Sequence, residues 1–198
     1  MILSHLTHPD QRHWEAIQDD EALMLFAVVR GCRFKRILEI GGYKGYSAKN
    51  FCEAASIFPD SVVYSLDIND MVCVAENHRT IKLDVVDLKP HHVDNIALDL
   101  IFFDCHVDGQ FIALESLKPL ITEDTVIALH DTNYQYRQFT GEALEAPRLH
   151  QIVEPMLVNH LHKMGYDAFS IRTLAKDHSE QFPHRHGLTL MQKYRELK

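Results

Sequence analysis

The stretch Ile37-Leu38-Glu39-Ile40-Gly41-Gly42-Tyr43-Lys44-Gly45-Tyr46-Ser47-Ala48 decides how this chain is read. A short apolar run, interrupted only by Glu39, enters a glycine-rich bend, and a helical pattern begins directly after it. Gly41 and Gly45 supply backbone angles closed to other residues and let a neighbour approach the main chain. The spacing is Glu39-x-Gly41-x3-Gly45. It is not the GxGxxG spacing that seats a pyrophosphate on a helix N-terminus. A carboxylate at Glu39 repels a phosphate and suits a cationic amine, such as the methionine end of S-adenosylmethionine.

Outward from this bend, hydrophobic periodicity alternates between strand-like and helix-like segments, the pattern of an α/β fold. Arg36 to Ile40 reads as a strand. Ser47 to Ile57 reads as a helix, apolar at Ala48, Phe51, Cys52 and Ala55, with Ser47 as its N-cap. Upstream, Trp14 to Val29 is a helix stopped by Gly31. Downstream, Ser61 to Ile68 and Thr80 to Val85 read as strands, with a short helix over Met71 to Asn77 between them. Leu98 to Phe103 is nearly all apolar, as in a central parallel strand buried on both faces. A helix over Gly109 to Leu117 and a strand over Thr125 to Leu129 follow. A helix is expected around Leu149 to Met164, with Pro155 making it start late or kink. Asp167 to Arg172 and Gly187 to Gln192 form a closing antiparallel pair. The sum is a three-layer α/β/α sandwich around a doubly wound, Rossmann-like seven-stranded sheet. The whole of 1–198 reads as one domain with an N-terminal helical extension over about residues 1–33.

In such sheets ligands collect at the carboxyl ends of the strands. Each predicted parallel strand ends there in glycine or a polar residue: the Gly41-Gly42-Tyr43-Lys44-Gly45 bend, Asp67-Ile68, Asp84-Val85, Asp104-Cys105-His106 and His130-Asp131. Asp67 can accept the two hydroxyls of a ribose, or stand as a solvated turn residue. Asp84 can accept from an adenine amino group, or cap a turn. The cofactor-binding candidates are therefore Glu39, Gly41, Gly42, Tyr43, Gly45, Ser47, Asp67, Ile68, Asp84, Val85 and Asp104. The catalytic candidates are His106, His130 and Asp131, since imidazole titrates near neutrality and can act as a general base. The loop over residues 134–148, with Tyr134, Tyr136 and Phe139, reads as a lid or as aromatic cover for the sheet edge.

Composition narrows the class. The chain has 198 residues, 28 acidic against 20 basic side chains and a net charge of −8. That balance argues against duplex nucleic acid and against an anionic membrane surface. No apolar run reaches the length of a membrane span, and the N-terminus shows no signal-peptide pattern. Four scattered cysteines fit reduced thiols in a cytoplasmic protein. The 14 histidines are mostly single, without the i, i+4 spacing of a zinc site on a helix.

The first motif, residues 37–48, closely resembles that of class I S-adenosylmethionine-dependent methyltransferases, and its Gly-Tyr-Ser ending is similar to the small-molecule O-methyltransferase branch (the methyltransferase domain family 24 type). Asp99-Leu100-Ile101-Phe102-Phe103-Asp104-Cys105-His106 and Thr125-Val126-Ile127-Ala128-Leu129-His130-Asp131-Thr132 are similar to the motifs of the fourth and fifth strands. The resemblance spans Gln18 to Lys193. It implies strand order 3-2-1-4-5-7-6 with strand 7 antiparallel, S-adenosylmethionine as cofactor, and methylation of a hydroxylated small molecule such as a sugar or a phenol. Metal-dependent relatives hold Mg2+ or another divalent cation with an Asp after strand four and an Asp-Asn pair after strand five. Asp104 matches the first. The second falls on Asp131-Thr132 or His130-Asp131, neither of them Asp-Asn, with Asn133 close by, and Asp131 is the second candidate ligand. Rival readings are an N-methyltransferase or hydroxylase-like enzyme, a cofactor-binding regulatory module without turnover, and a dinucleotide oxidoreductase. The partner expected is a small-molecule acceptor, with a homodimer as the assembly to test.

Overall fold

The computed structural model describes residues 17, 19–132, 153–171 and 187–194. The helix α1 spans Asp19–Cys32, α2 Tyr46–Ala55, α3 Gly109–Leu117 and α4 Val153–Lys163. Strands β1 to β7 are Arg36–Ile40, Val62–Asp67, His78–Lys82, Leu98–Phe103, Ile121–Leu129, Tyr166–Ile171 and Leu188–Lys193. Among the described residues they form one seven-stranded sheet in the order β3-β2-β1-β4-β5-β7-β6. The first five strands run parallel, and β7 lies antiparallel to both β5 and β6. The expected topology is the observed one.

Side chains alternate across the sheet and build two cores. Leu38, Ile40, Leu66, Ile101, Phe103, Ile127 and Leu129 pack under α3 and α4. Ile37, Val63, Leu100, Phe102, Val126 and Ala128 pack under α1 and α2. Phe102 meets Phe51 of α2 edge-on, with ring centroids 5.4 Å apart. By the same alternation Glu39, Ser65 and His130 continue the second face toward the carboxyl ends, where polar groups take over from apolar ones.

Three local expectations are corrected. The β2–β3 connection, residues 68–77, carries no helix and runs as an irregular link. Its ten residues are shorter than the dozen or more usual for a parallel crossover. Gly31 does not end α1, which continues to Cys32; the stop is Arg33, in the left-handed region at φ 60°. Ser47 is not the N-cap of α2. Gly45 is, at φ 79°, and Ser47 sits buried inside the first turn. Pro155 falls in the first turn of α4, where its missing N–H forfeits no helical bond.

Backbone bonds hold the strand ends level. Gly41 N–H donates to Leu66 O at 2.8 Å, Asp104 N–H to Ile40 O at 2.9 Å and His130 N–H to Phe103 O at 3.1 Å. The polar residues that follow β1, β2, β4 and β5 thus share one rim. Phe102→Ala should destabilise the protein by about 3–5 kcal/mol, because it empties the centre of a close-packed face; urea denaturation measures this.

Candidate functional site

A cavity of about 590 Å3 opens on that rim. Gly41 and Tyr43 form one wall, Asp67 and Ile68 a second, Asp84 and Val85 a third, and Asp104, Cys105 and His106 the floor. A second, shallower groove near Lys49, Glu53 and Asp60 lies at the amino end of β2, away from these groups. Gly41 stands at φ 99°, and a Cβ there would fall 2.4 Å from the Asp104 carbonyl oxygen. The missing side chain lets the β4 end close directly on the glycine bend. Asp67 Oδ2 accepts from Tyr43 N–H at 2.9 Å, and Oδ1 accepts from Asn69 N–H at 2.8 Å. This carboxylate shapes the bend as well as facing the cavity. Asp84 caps a 3-10 turn through Val86 N–H at 3.1 Å while still lining the cavity.

Glu39 does not line it. The side chain is fully buried, on the α1/α2 face of the sheet. Its Oε2 accepts from Ser65 Oγ at 2.5 Å. Val74 N–H donates to His78 Nδ1 at 3.1 Å, so His78 carries its proton on Nε2 and gives it to Ser65 Oγ at 2.9 Å. Burial pushes the Glu39 carboxyl up to about 7, with the Ser47 and Ser65 hydroxyls pulling the other way. The Met71 thioether closes the approach from above. A Cβ on Gly42 would lie 2.7 Å from Met71 Sδ and 3.1 Å from Glu39 Oε2. The expectation that Glu39 faces an open pocket is corrected: Gly42 and Met71 cover it. Gly42, Gly45 and Ser47 likewise stand behind the wall, outside the cavity lining.

The floor is a buried charge cluster. His130 is fully buried, with Nδ1 2.9 Å from Asp104 Oδ1 and Nε2 3.0 Å from Glu21 Oε2 of α1. With a carboxylate at each nitrogen, the ring donates on both sides and is an imidazolium. Burial opposes that charge, and Asp104, Asp131 and Glu21 together more than offset it. His106 stands on the cavity side at φ 54°. Its Nδ1 lies 2.9 Å from Glu154 Oε1 of α4, its backbone N–H donates to the same oxygen at 3.0 Å, and Gln110 Nε2 adds a third donor at 2.7 Å. Its Nε2 is 3.4 Å from both Asp104 Oδ1 and Asp131 Oδ2. Burial alone would lower the His106 pKa; Glu154, then Asp104 and Asp131, raise it to about 9.

Only one of the three catalytic candidates reaches the cavity. His130 is sealed between two acids, and Asp131 is fully buried at φ 52°. Both support the site from beneath, and His106 faces it. Glu21 and Glu154 complete the cluster without having been read from the sequence. Each is an acid in the first turn of a helix, Glu21 beside Asp19 and Asp20 and Glu154 alone, a pattern shared by countless solvated residues. The expected lid over residues 134–148, and Asn133, lie outside the described residues.

The residues do not fit a divalent cation. Mg2+ needs oxygen ligands near 2.1 Å in octahedral array. Here the space between Asp104 and Asp131 is taken by the His106 ring. Thr132 turns its hydroxyl to Gly187 O at 3.1 Å and Thr189 Oγ1 at 2.7 Å. Among the described residues no group of three His, Cys, Asp or Glu side chains is arranged to hold a metal. Nor is any thiol poised as a nucleophile; burial raises the thiols of Cys52 and Cys105. No helix among the described residues is long and apolar enough to cross a membrane.

No family model matches the chain, and no curated protein matches it by sequence. Solved structures do. The chain is similar to the O-methyltransferase TomG of Streptomyces achromogenes in complex with SAM, at 18% identity over 98% of this chain and 86% of that one, with a TM-score of 0.62. It is similar to the SAH-bound methyltransferase PaMTH1 of Podospora anserina, at 16% identity over 98% and 88%, with a TM-score of 0.65. It is also similar to an O-methyltransferase of Bacillus cereus in complex with SAH, at 15% identity over 98% and 89%, with a TM-score of 0.65. At these identities the likeness carries the fold, a Rossmann-like seven-stranded sheet between layers of helices.

The His106 shift has a measurable consequence. A histidine whose pKa is raised from 6.5 to about 9 in the fold contributes stability that is complete below pH 6.5 and lost as pH rises toward 9. Urea denaturation should show a decline of about 3 kcal/mol across that window, flattened in His106→Gln.

Proposed function

We propose that this protein is an S-adenosylmethionine-dependent O-methyltransferase acting on a hydroxylated small molecule. The observation that carries the reading is the cavity between the glycine bend and the ends of β2 and β4, with an acid-rich floor. Four carboxylates, Glu21, Asp104, Asp131 and Glu154, surround two imidazole rings. Such a floor suits a cationic sulfonium and disfavours the phosphates of a dinucleotide. The solved relatives with SAM or SAH bound support the same cofactor. In this reading Asp67 takes the ribose, Ile68 and Val85 flank the adenine, and Asp84 is within reach of its amino group.

Methyl transfer is a displacement at carbon. The acceptor oxygen forms a bond to the methyl group as the S–CH3 bond breaks and its electron pair returns to sulfur. Alignment supplies much of the rate. The hydroxyl proton passes to neutral His106 Nε2, and the imidazolium that forms is flanked by Asp104 and Asp131 at 3.4 Å each. His106 acts only when deprotonated, and its pKa lies near 9. The rate should therefore climb with pH up to about 9 and then level. His106→Gln should lower kcat by roughly 10²–10⁴-fold and lose the slope. An unchanged pH–rate profile in that variant would refute the assignment.

Glu39 would hold the methionyl ammonium of the cofactor once Met71 moved aside. Binding of that ammonium favours ionised Glu39, so a proton is released. Calorimetry should find S-adenosylmethionine affinity rising with pH to about 7, the Glu39 pKa, and flat above it. Glu39→Gln, which keeps the volume, should weaken binding by roughly tenfold or more, in line with the loss of a buried charged hydrogen bond. Met71→Ala should tighten binding, since no thioether need be displaced. Failure of the wild type to bind either S-adenosylmethionine or S-adenosylhomocysteine would end this reading.

A further inference from the structure

The carboxylates Asp104 and Asp131 sit side by side at the ends of β4 and β5 and share two imidazoles. His130 Nδ1 lies beneath, 2.9 Å from Asp104 Oδ1 and 3.6 Å from Asp131 Oδ1. On the cavity side is the ring of His106, whose Nε2 is equidistant from Asp104 Oδ1 and Asp131 Oδ2 at 3.4 Å. The ring is not a loose occupant. Glu154 grips it from α4 through Nδ1 and through the His106 backbone N–H, and Gln110 grips Glu154. The left-handed backbone at His106 turns the side chain back over the carboxylates instead of out along the strand.

We infer that the His106 ring is a resident substitute for a divalent cation: in this chain the Asp104–Asp131 pair is built to hold an imidazole, and the ring itself keeps metal ions out. Removing the ring should then create a cation site where none exists in the wild type. The pair is already converged, two carboxylates are a sufficient start for a weak oxygen site, and the vacated space can take water ligands. If the proposed methyltransferase activity also holds, the acceptor meets a single imidazole nitrogen and not a chelating ion. Acceptors with one isolated hydroxyl would then be used as well as vicinal diols.

The test is Mn2+ binding to the full chain, read by electron paramagnetic resonance, with far-UV circular dichroism to check the fold. His106→Gly is the leading variant, because glycine accepts the left-handed backbone without strain. His106→Ala is the second, for the case in which glycine loosens the turn. The wild type should bind no Mn2+ at the site. The variant should bind one ion with Kd on the order of 1 mM or tighter, the range of weak carboxylate sites. Adding Asp104→Asn should abolish that binding. Stoichiometric Mn2+ binding by the wild type, lost on Asp104→Asn, would overturn the inference. So would folded variants that bind no better than the wild type. Calorimetry with S-adenosylhomocysteine on the same samples separates the two ideas: loss of cofactor binding would strike the methyltransferase reading and leave the Mn2+ result standing.

Discussion

Two imidazole rings neutralise a group of acids at the carboxyl end of an apolar sheet, and the rest of the site depends on that balance. Ionised carboxylates cannot be buried unpaired at reasonable cost. His130 ties Glu21 of α1 to Asp104, just past the end of β4, and His106 ties Glu154 of α4 to the same strand end. The helices on opposite faces are thus fastened to one rim by charge as well as by packing. The cavity floor is rigid because each of its charged members has several partners.

The glycine bend obeys a related constraint. The absent Cβ of Gly41 is used by the protein itself, to admit the Asp104 carbonyl. That of Gly42 is used by Met71, which shelters the Glu39 carboxyl. A segment that looks shaped for a ligand is first shaped for its own neighbours. Beneath that thioether Glu39 stays dry, joined to Ser65 and through it to His78.

Much of this was legible in the sequence, for identifiable reasons. Strands β1 and β4 and helix α3 have the expected bounds, because continuous burial on two faces leaves an apolar run with clear polar ends. The strand order is what the family resemblance of the motifs in β1, β4 and β5 implies, and the sheet has that order. The β2–β3 link reads as helical because Met71, Val72, Val74 and Ala75 are apolar, yet Met71 and Val74 pack on the glycine bend, Ala75 on the α1/α2 core, and Val72 stands exposed. Gly31 was taken for a stop because glycine often is one, yet Arg33 does that work. Within the site, the strand-end residues were found and their depth was not. Nothing local distinguishes His106, on the cavity, from His130, sealed by α1. Glu21 and Glu154 gain their roles only when distant helices arrive.

Tyr43, His106 and Asp131 all sit in the left-handed region, at φ 41°, 54° and 52°. Each such residue costs about 1 kcal/mol or more over glycine or asparagine in the same turn. Glycine at these three positions would relieve the strain and remove their side chains from the rim. Arg33, Asp60, Asp94 and Asn95 hold the same left-handed backbone away from it, so the strain belongs to tight turns throughout the fold.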